Sequence, residues 1–189
     1  METVTDYMSM LKYQDASRFG GRYPDPTTAL RIPPKAADDP RVGPIYEQIL
    51  NHSVSFILLH EMGHVLYQHP GYGPGVSRGQ ARENEDQADR FALEVLRRVG
   101  QPVSGLLFFF LSNAHAVAHR ADFGSDADYQ KHLTQTTHPL TSDRVTRLSQ
   151  YLREHAADYG RLQNNPTRAT AVIRGTADEI DKQVVPVLA

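Results

Sequence analysis

FILLHEMGHVL, residues 56–66, holds two histidines four positions apart within a run of apolar residues. Apolar residues recur at three- and four-residue steps from Ile45 to Leu66, which predicts one amphipathic helix that ends at about Gln68. On such a helix His60 and His64 project from one face, one turn apart, where both can bind one metal ion. The stretch therefore predicts a metal-binding helix around which the fold is organised.

Glu61 completes the pattern HExxH. A carboxylate in this position can take a proton from water that zinc has acidified to a pKa of about 7, and can pass it to a leaving amine. This chemistry hydrolyses a peptide bond without a covalent intermediate. The pattern also arises by chance, but here it lies inside an amphipathic helix whose other face, with Leu58, Met62 and Val65, is expected to pack as the apolar side. Chance is therefore the weaker explanation.

A catalytic zinc ion needs a third protein ligand and an open fourth position. Residues 85–89, EDQAD, fall in a second predicted helix, on which Glu85 and Asp89 share a face. We interpret Glu85 as the third ligand, and Asp89 as the acceptor for the outer N–H of a ligand histidine, His60. The alternative is a solvated acidic face, which the nearby HExxH pattern makes less plausible.

HEMGH followed by EDQADRFA resembles the gluzincin zinc metallopeptidases, in particular the HtpX-like peptidases, the CAAX prenyl proteases and the periplasmic quality-control peptidases. Residues 137–140, THPL, with Arg144 shortly after, are similar to the His-Pro segment of these enzymes. The resemblance covers about residues 56–148. It implies a zincin-like fold with an active-site helix and a glutamate helix. It also implies that His138 lies over the metal, where it can cap the ion or contact substrate. If the chain is an endopeptidase, we expect the metal to hold the oxyanion together with His138 or Arg144.

Two features limit this resemblance. The apolar hairpins of the membrane-bound members are missing, which speaks against a prenyl-protease role. The spacing from His64 to Glu85 and the sequence EDQADRFALEVL also resemble the corresponding features of the ImmA/IrrE-type regulatory peptidases. We therefore expect a zinc endopeptidase that acts on proteins or peptides. The alternatives are a regulatory peptidase with one protein target, or a latent zinc-bearing chaperone or binding module in which His138 caps the metal.

The expected fold is mainly α with a small β-sheet. Residues 1–43 are polar and interrupted by prolines, which predicts an extended segment with little regular structure, apart from a short strand at Thr28–Ile32. Residues 44–189 are expected to form the helical domain. After the two metal helices we predict helices from about Val103 to His119, from Thr141 as N-cap to Gly160, and from Asn165 as N-cap onward.

Composition excludes several other functions. The 22 acidic and 20 basic residues nearly cancel, so we expect no nucleic-acid partner. Cysteine is absent, which leaves histidines and carboxylates as the strong metal ligands. The longest apolar run, residues 106–111, is far shorter than the roughly 20 residues of a membrane span. We expect a soluble protein, cytoplasmic if no leader was removed and periplasmic or secreted otherwise; the oligomeric state is not predicted.

Other candidate residues are weaker. His115 and His119 also stand four apart, but they have no acidic partner at ligand spacing, so we expect packing or surface positions for them. Tyr67, Tyr72 and Tyr129 are candidates for an oxyanion hydrogen bond. We interpret His52 and His69 as ordinary neighbours of the metal-binding helix.

Overall fold

The computed structural model describes residues 2–70, 76–136 and 138–189. Within these ranges the chain is mainly helical and forms no β-strand, so the predicted small sheet is not found there. The helices are α1 (Glu2–Tyr13), α2 (Pro26–Ala29), α3 (Gly43–Leu66), α4 (Arg78–Arg98), α5 (Leu106–Ala116), α6 (Asp126–Gln135), α7 (Ser142–Glu154), α8 (Ala156–Gly160), α9 (Pro166–Gln183) and α10 (Val185–Leu188). Residues 71–75, which include the oxyanion candidate Tyr72, and Thr137 lie outside the described residues.

Several predicted helix boundaries are confirmed by their caps. The Thr141 hydroxyl accepts the N–H of Arg144 at the start of α7, and the Asn165 side chain accepts the N–H of Arg168 at the start of α9. Pro166 follows as the first helical residue of α9, where its missing N–H costs nothing. Capping residues read from the sequence therefore locate these two helices closely.

The N-terminal segment differs from the prediction. Residues 2–13 form α1, which packs on α5, and Lys12 forms a 2.8 Å ion pair with Asp122. The strand predicted at Thr28–Ile32 is also wrong: Asp25 accepts the N–H of Thr28 and starts the short helix α2 instead. Local capping outweighs strand propensity here because no partner strand is present in the described chain. Whether residues 1–43 and 44–189 are separate units stays a prediction.

Two later helices also differ from the prediction. The helix expected from about Val103 to His119 is shorter, since α5 ends at Ala116. The helix expected to run to Gly160 is divided at His155 into α7 and α8. In addition, α6 was not predicted, although Ser125 caps it and acidic residues occupy its first turn.

The hydrophobic core lies among α4, α5, α7, α8 and α9, with Phe56 reaching it from α3. Its largest buried members are Phe56, Leu93, Leu96, Leu106, Phe110, Leu152, Tyr159, Ile173 and Ile180. The core fixes the positions of α4 and α7, the two helices that carry Glu85, Asp89 and Arg144.

Helix α3 buries the opposite face from the one expected. His52, Phe56, His60 and Gly63 are buried, whereas Leu58, Met62 and Val65 are 59, 56 and 79% exposed. The reason is that α4 presents buried acids to α3, and the imidazole face of α3 packs against them. Periodicity located the apolar face of α3, but the face that is buried is the one whose imidazoles contact the acids of α4. Of the helices that the structure describes, none combines the length and apolar content that crossing a bilayer requires.

Candidate metal centre

Gly63 lets α3 approach α4 closely. A Cβ at this position would lie 3.0 Å from the Cα of Ala88 and 3.3 Å from the ring of Phe91. Both contacts are tighter than ordinary van der Waals packing. The pairing of a glycine with a small alanine therefore brings the imidazoles of one helix within reach of the carboxylates of the other.

His60, His64 and Glu85 converge at this crossing. The Nε2 atoms of the two histidines are 3.0 Å apart. The Glu85 carboxylate oxygens lie 3.5 Å from His60 Nε2 and 3.4 Å from His64 Nε2. Glu85 is only 1% exposed, so its charge is removed from water and faces the two imidazoles.

These separations fit a zinc ion. Two ligand atoms about 2.0–2.1 Å from one ion, at a tetrahedral angle, lie about 3.3 Å apart. The three observed distances, 3.0, 3.4 and 3.5 Å, scatter around that value, with Oε1 of Glu85 facing His64 and Oε2 facing His60. Two imidazoles and one carboxylate are also a donor set that suits zinc. The three side chains would therefore hold the ion and leave one position open.

Asp89 supports His60 from behind. His60 Nδ1 lies 2.8 Å from Asp89 Oδ1, which directs its Nε2 atom toward Glu85 and His64. Burial alone would lower the pKa of His60, but hydrogen bonds to Asp89 and Glu85 outweigh it and raise that pKa to about 9. The carboxylates of Asp89 and Glu85 thus favour a positive charge at the His60 imidazole. The same carboxylates would favour a metal cation bound beside it.

His69 supports His64, a relationship that the sequence analysis missed. His64 Nδ1 lies 2.8 Å from His69 Nδ1, and His69 Nε2 lies 3.1 Å from the Oε1 atom of Gln87. The turn that makes this contact depends on Gln68, two residues after the end of α3, which adopts a left-handed backbone conformation (φ 53°). The His69 N–H then donates to the His64 carbonyl at 3.0 Å. The recurrence of histidine at positions 60, 64 and 69 was the sequence feature that could have indicated this contact.

Arg144 lies behind the carboxylates. Its guanidinium donates to both oxygens of Asp89, at 2.7 and 2.8 Å, and its Nη1 atom lies 2.6 Å from Glu85 Oε2. It also donates to the carbonyl of Pro139 at 3.3 Å. Burial would raise the pKa of Asp89, but Arg144 and His60 together outweigh it and lower that pKa. The structure thus places the Arg144 guanidinium against Asp89 and Glu85. Its contact with an oxyanion stays a prediction.

His138 and Glu61 occupy the open side of the site. His138 Nδ1 lies 3.0 Å from Glu85 Oε1, and its Nε2 atom lies 3.8 Å from Glu61 Oε1. One ligand atom of His138 lies within 4.8 Å of ligand atoms of His60, His64 and Glu85. The side chains of Glu61 and His138 are 54 and 40% exposed. They are therefore the groups that an incoming molecule meets first.

The remaining candidates lie elsewhere or are engaged in packing. Tyr67 stacks on His69, and Tyr129 packs against Phe123. His119 contacts the Ala114 carbonyl, and the metal-ligand cluster found among the described residues does not include it or His115. His52 accepts the N–H of Gly105, a structural role as expected.

Comparison with known proteins adds one finding. A family model described as Peptidase U49 matches residues 1–162, which includes every side chain of the site. No curated protein and no solved structure matches the chain.

Proposed function

We propose that this chain, which belongs to the peptidase U49 family, is a zinc-dependent endopeptidase whose metal is held by His60, His64 and Glu85. Membership of a peptidase family implies a protein or peptide substrate. We further propose that the metal is zinc and that activated water hydrolyses the peptide bond. We also propose the gluzincin type of site, in which a glutamate on a second helix is the third ligand.

The observation that carries the proposal is the convergence of donor atoms from His60, His64 and Glu85, at separations that suit one ion. Beside them lies the exposed carboxylate of Glu61, which is not one of these donors. Zinc in such a site supplies a Lewis acid for the scissile carbonyl and lowers the pKa of water. A closed structural site has no use for a base, whereas Glu61 lies at the open side where a water and a peptide would arrive.

The protein side chains divide the remaining work. Glu61 takes the proton as water attacks the carbonyl carbon, and returns it to the amide nitrogen as the C–N bond breaks. Asp89 and His69 orient the two ligand imidazoles from outside. Arg144 holds Asp89 and Glu85 in place and neutralises part of their charge. The half-exposed His138 ring lies over the site, where it would compete with substrate for the open position.

This position of His138 favours a latent resting form over permanent activity. Its Nδ1 contact with Glu85 and its Nε2 approach to Glu61 put the ring between the ligand and the base. In the resting form it obstructs the site, and the segment around Pro139 has to move before a peptide binds. The competing role is a hydrogen bond to the oxyanion, in which case the ring assists the reaction.

Metal dependence tests the proposal. Removal of zinc with a chelator should abolish cleavage of an unfolded protein, and zinc should restore it. His60→Ala, His64→Ala and Glu85→Gln should each lose bound zinc, measured as metal per chain. Glu83→Ala is the matched control, because Glu83 is an exposed acid on the same helix α4. Full zinc retention by all three variants would contradict the assignment.

A further inference from the structure

A pocket of about 220 Å³ opens beside the metal centre, between α3, the C-terminal half of α5 and the segment that follows His138. Its apolar wall consists of Phe56, Ile57, Phe109, Phe110, Val117 and Leu140. Phe56 and Phe110 form the buried floor, whereas Ile57, Phe109, Val117 and Leu140 are only partly buried. We call this the cleft pocket. Its wall presents apolar surface that the fold of the described chain leaves uncovered.

The cleft pocket is continuous with the reaction centre. His60, Glu61 and His138 are also part of its lining. A peptide whose carbonyl lies over the metal, with the attacking water at Glu61, therefore has the pocket within reach of a side chain next to the scissile bond. The pocket and the base are adjacent because Ile57 and Glu61 are one helical turn apart on α3.

The size of the cleft pocket suits one side chain. An apolar cavity of about 150 Å³ binds a benzene molecule. A volume of 220 Å³ is therefore enough for an aromatic ring or a branched aliphatic side chain. An apolar side chain that covers this wall is held there because binding removes apolar surface from water.

The charges around the cleft pocket argue against a charged occupant. The basic side chain in its lining, Arg144, already contacts Asp89 and Glu85. The acidic one, Glu61, is the proposed base. A charged substrate side chain would lose its hydration against Ile57, Phe109 and Val117, at a cost that the described lining does not offset.

We propose that the cleft pocket binds one bulky apolar side chain of the substrate, at a residue adjoining the scissile bond, and that Ile57 and Val117 set its size limit. This inference rests on the proposed function. It assigns the substrate class as protein segments with a large aliphatic or aromatic residue beside the cleaved bond. It also assigns a purpose to the partly exposed apolar residues at the C-terminal end of α5.

Cleavage of a mixed peptide library by the zinc-loaded protein, with the products sequenced by mass spectrometry, tests this proposal. We expect Leu, Ile, Met or Phe to dominate at one position next to the cleaved bond. Val117→Phe narrows the pocket and should lower the ratio of kcat/KM for a Phe peptide over that for its Ala analogue by about 10-fold or more. Ile57→Ala widens the pocket and should lower the same ratio.

Leu58→Ala is the matched control, since Leu58 neighbours Ile57 on α3, is 59% exposed and is not in the pocket lining. It should leave the ratio unchanged. Zinc content reports whether each variant retains the folded site. Cleavage without an apolar preference, or an unchanged ratio in both pocket variants, would overturn the inference while leaving the proposed function intact. A zinc-loaded protein that cleaves no peptide, either as the wild type or as His138→Ala, would instead overturn the proposed function, and the inference with it.

Discussion

The imidazoles of His64 and His69 meet nitrogen to nitrogen, with their Nδ1 atoms 2.8 Å apart. One of the two must donate, and Gln87 decides which. Its Oε1 atom accepts from His69 Nε2–H, which leaves His69 Nδ1 as the acceptor. His64 Nδ1–H is then the donor, and the lone pair of His64 lies on Nε2, the atom that faces His60 and Glu85. The hydrogen bonds from His64 to His69 and from His69 to Gln87 thus select the tautomer of His64 that can bind a metal.

Loss of this support should weaken zinc binding. We expect His69→Phe and Gln87→Ala each to raise the dissociation constant for zinc about 10- to 100-fold, because His64 loses the partner that orients it. Competition with a chelating dye measures the constant. Gln150→Ala, an exposed glutamine of α7, is the control and should bind zinc as the wild type does. Unaltered affinity in both site variants would return His69 to the role of an ordinary neighbour.

Arg144 should be the most important side chain behind the site for stability. Arg144→Met leaves Asp89 buried without its cation, and breaking such a pair costs about 3–5 kcal/mol in the free energy of unfolding. Arg147→Met is the matched control, because Arg147 on α7 also pairs with an acid on α4, Asp86, but at the surface. It should cost less than about 1 kcal/mol. Urea unfolding compares the two; equal costs would contradict this account.

Gly63 should tolerate no side chain, even though alanine favours a helix. Gly63→Ala forces α3 away from the backbone of Ala88, and we expect a loss of about 1–3 kcal/mol of stability. Zinc affinity should fall as well, since the imidazoles then move away from Glu85. Gly175→Ala in α9 meets nothing within 4 Å and should stabilise the protein by about 0.5–1 kcal/mol. Thermal unfolding of both variants, with zinc titration of the first, checks this pair.

His138→Ala distinguishes a cap from an oxyanion contact. If the ring obstructs the resting site, its removal should raise the rate of peptide cleavage at unchanged zinc content, which is the result we expect. A loss of about 10²- to 10³-fold would instead identify an oxyanion donor. Wild-type kinetics would contradict both roles and leave His138 as an ordinary residue before α7.

The spacing of residues was enough to predict which metal-ligating side chains meet, including Asp89 beside His60, but not the contacts of Arg144 and His69. His60, Glu61 and His64 follow from helical periodicity, and Glu85 with Asp89 follows from a second helix of the same period. The contact of Arg144 with Asp89 depends on how α7 packs against α4. That packing is a tertiary relationship with no local signal. The turn at Gln68, which brings His69 to His64, depends on an uncommon backbone conformation for a residue other than glycine.

The burial of α3 also depends on a tertiary contact that has no local signal in the sequence. The sequence marks Leu58, Met62 and Val65 as the apolar face, and this pattern usually predicts what is buried. In the structure the imidazole face is covered instead, because the buried partner α4 offers charges for it to pair with. The helix α6 was predictable, since Ser125 and the acids after it are a recognisable helix start.

The most direct test of the central claim compares the wild type with Glu61→Gln in two measurements on the same preparations, zinc per chain and new amino termini released from an unfolded protein. Glu61 is exposed and is not among the three proposed ligands, so the variant should keep one zinc per chain. Its cleavage should fall to background, because glutamine cannot accept the proton of the attacking water. A variant that loses its zinc would contradict the separation of base from ligands, and a variant that cleaves as fast as the wild type would contradict the proposed mechanism.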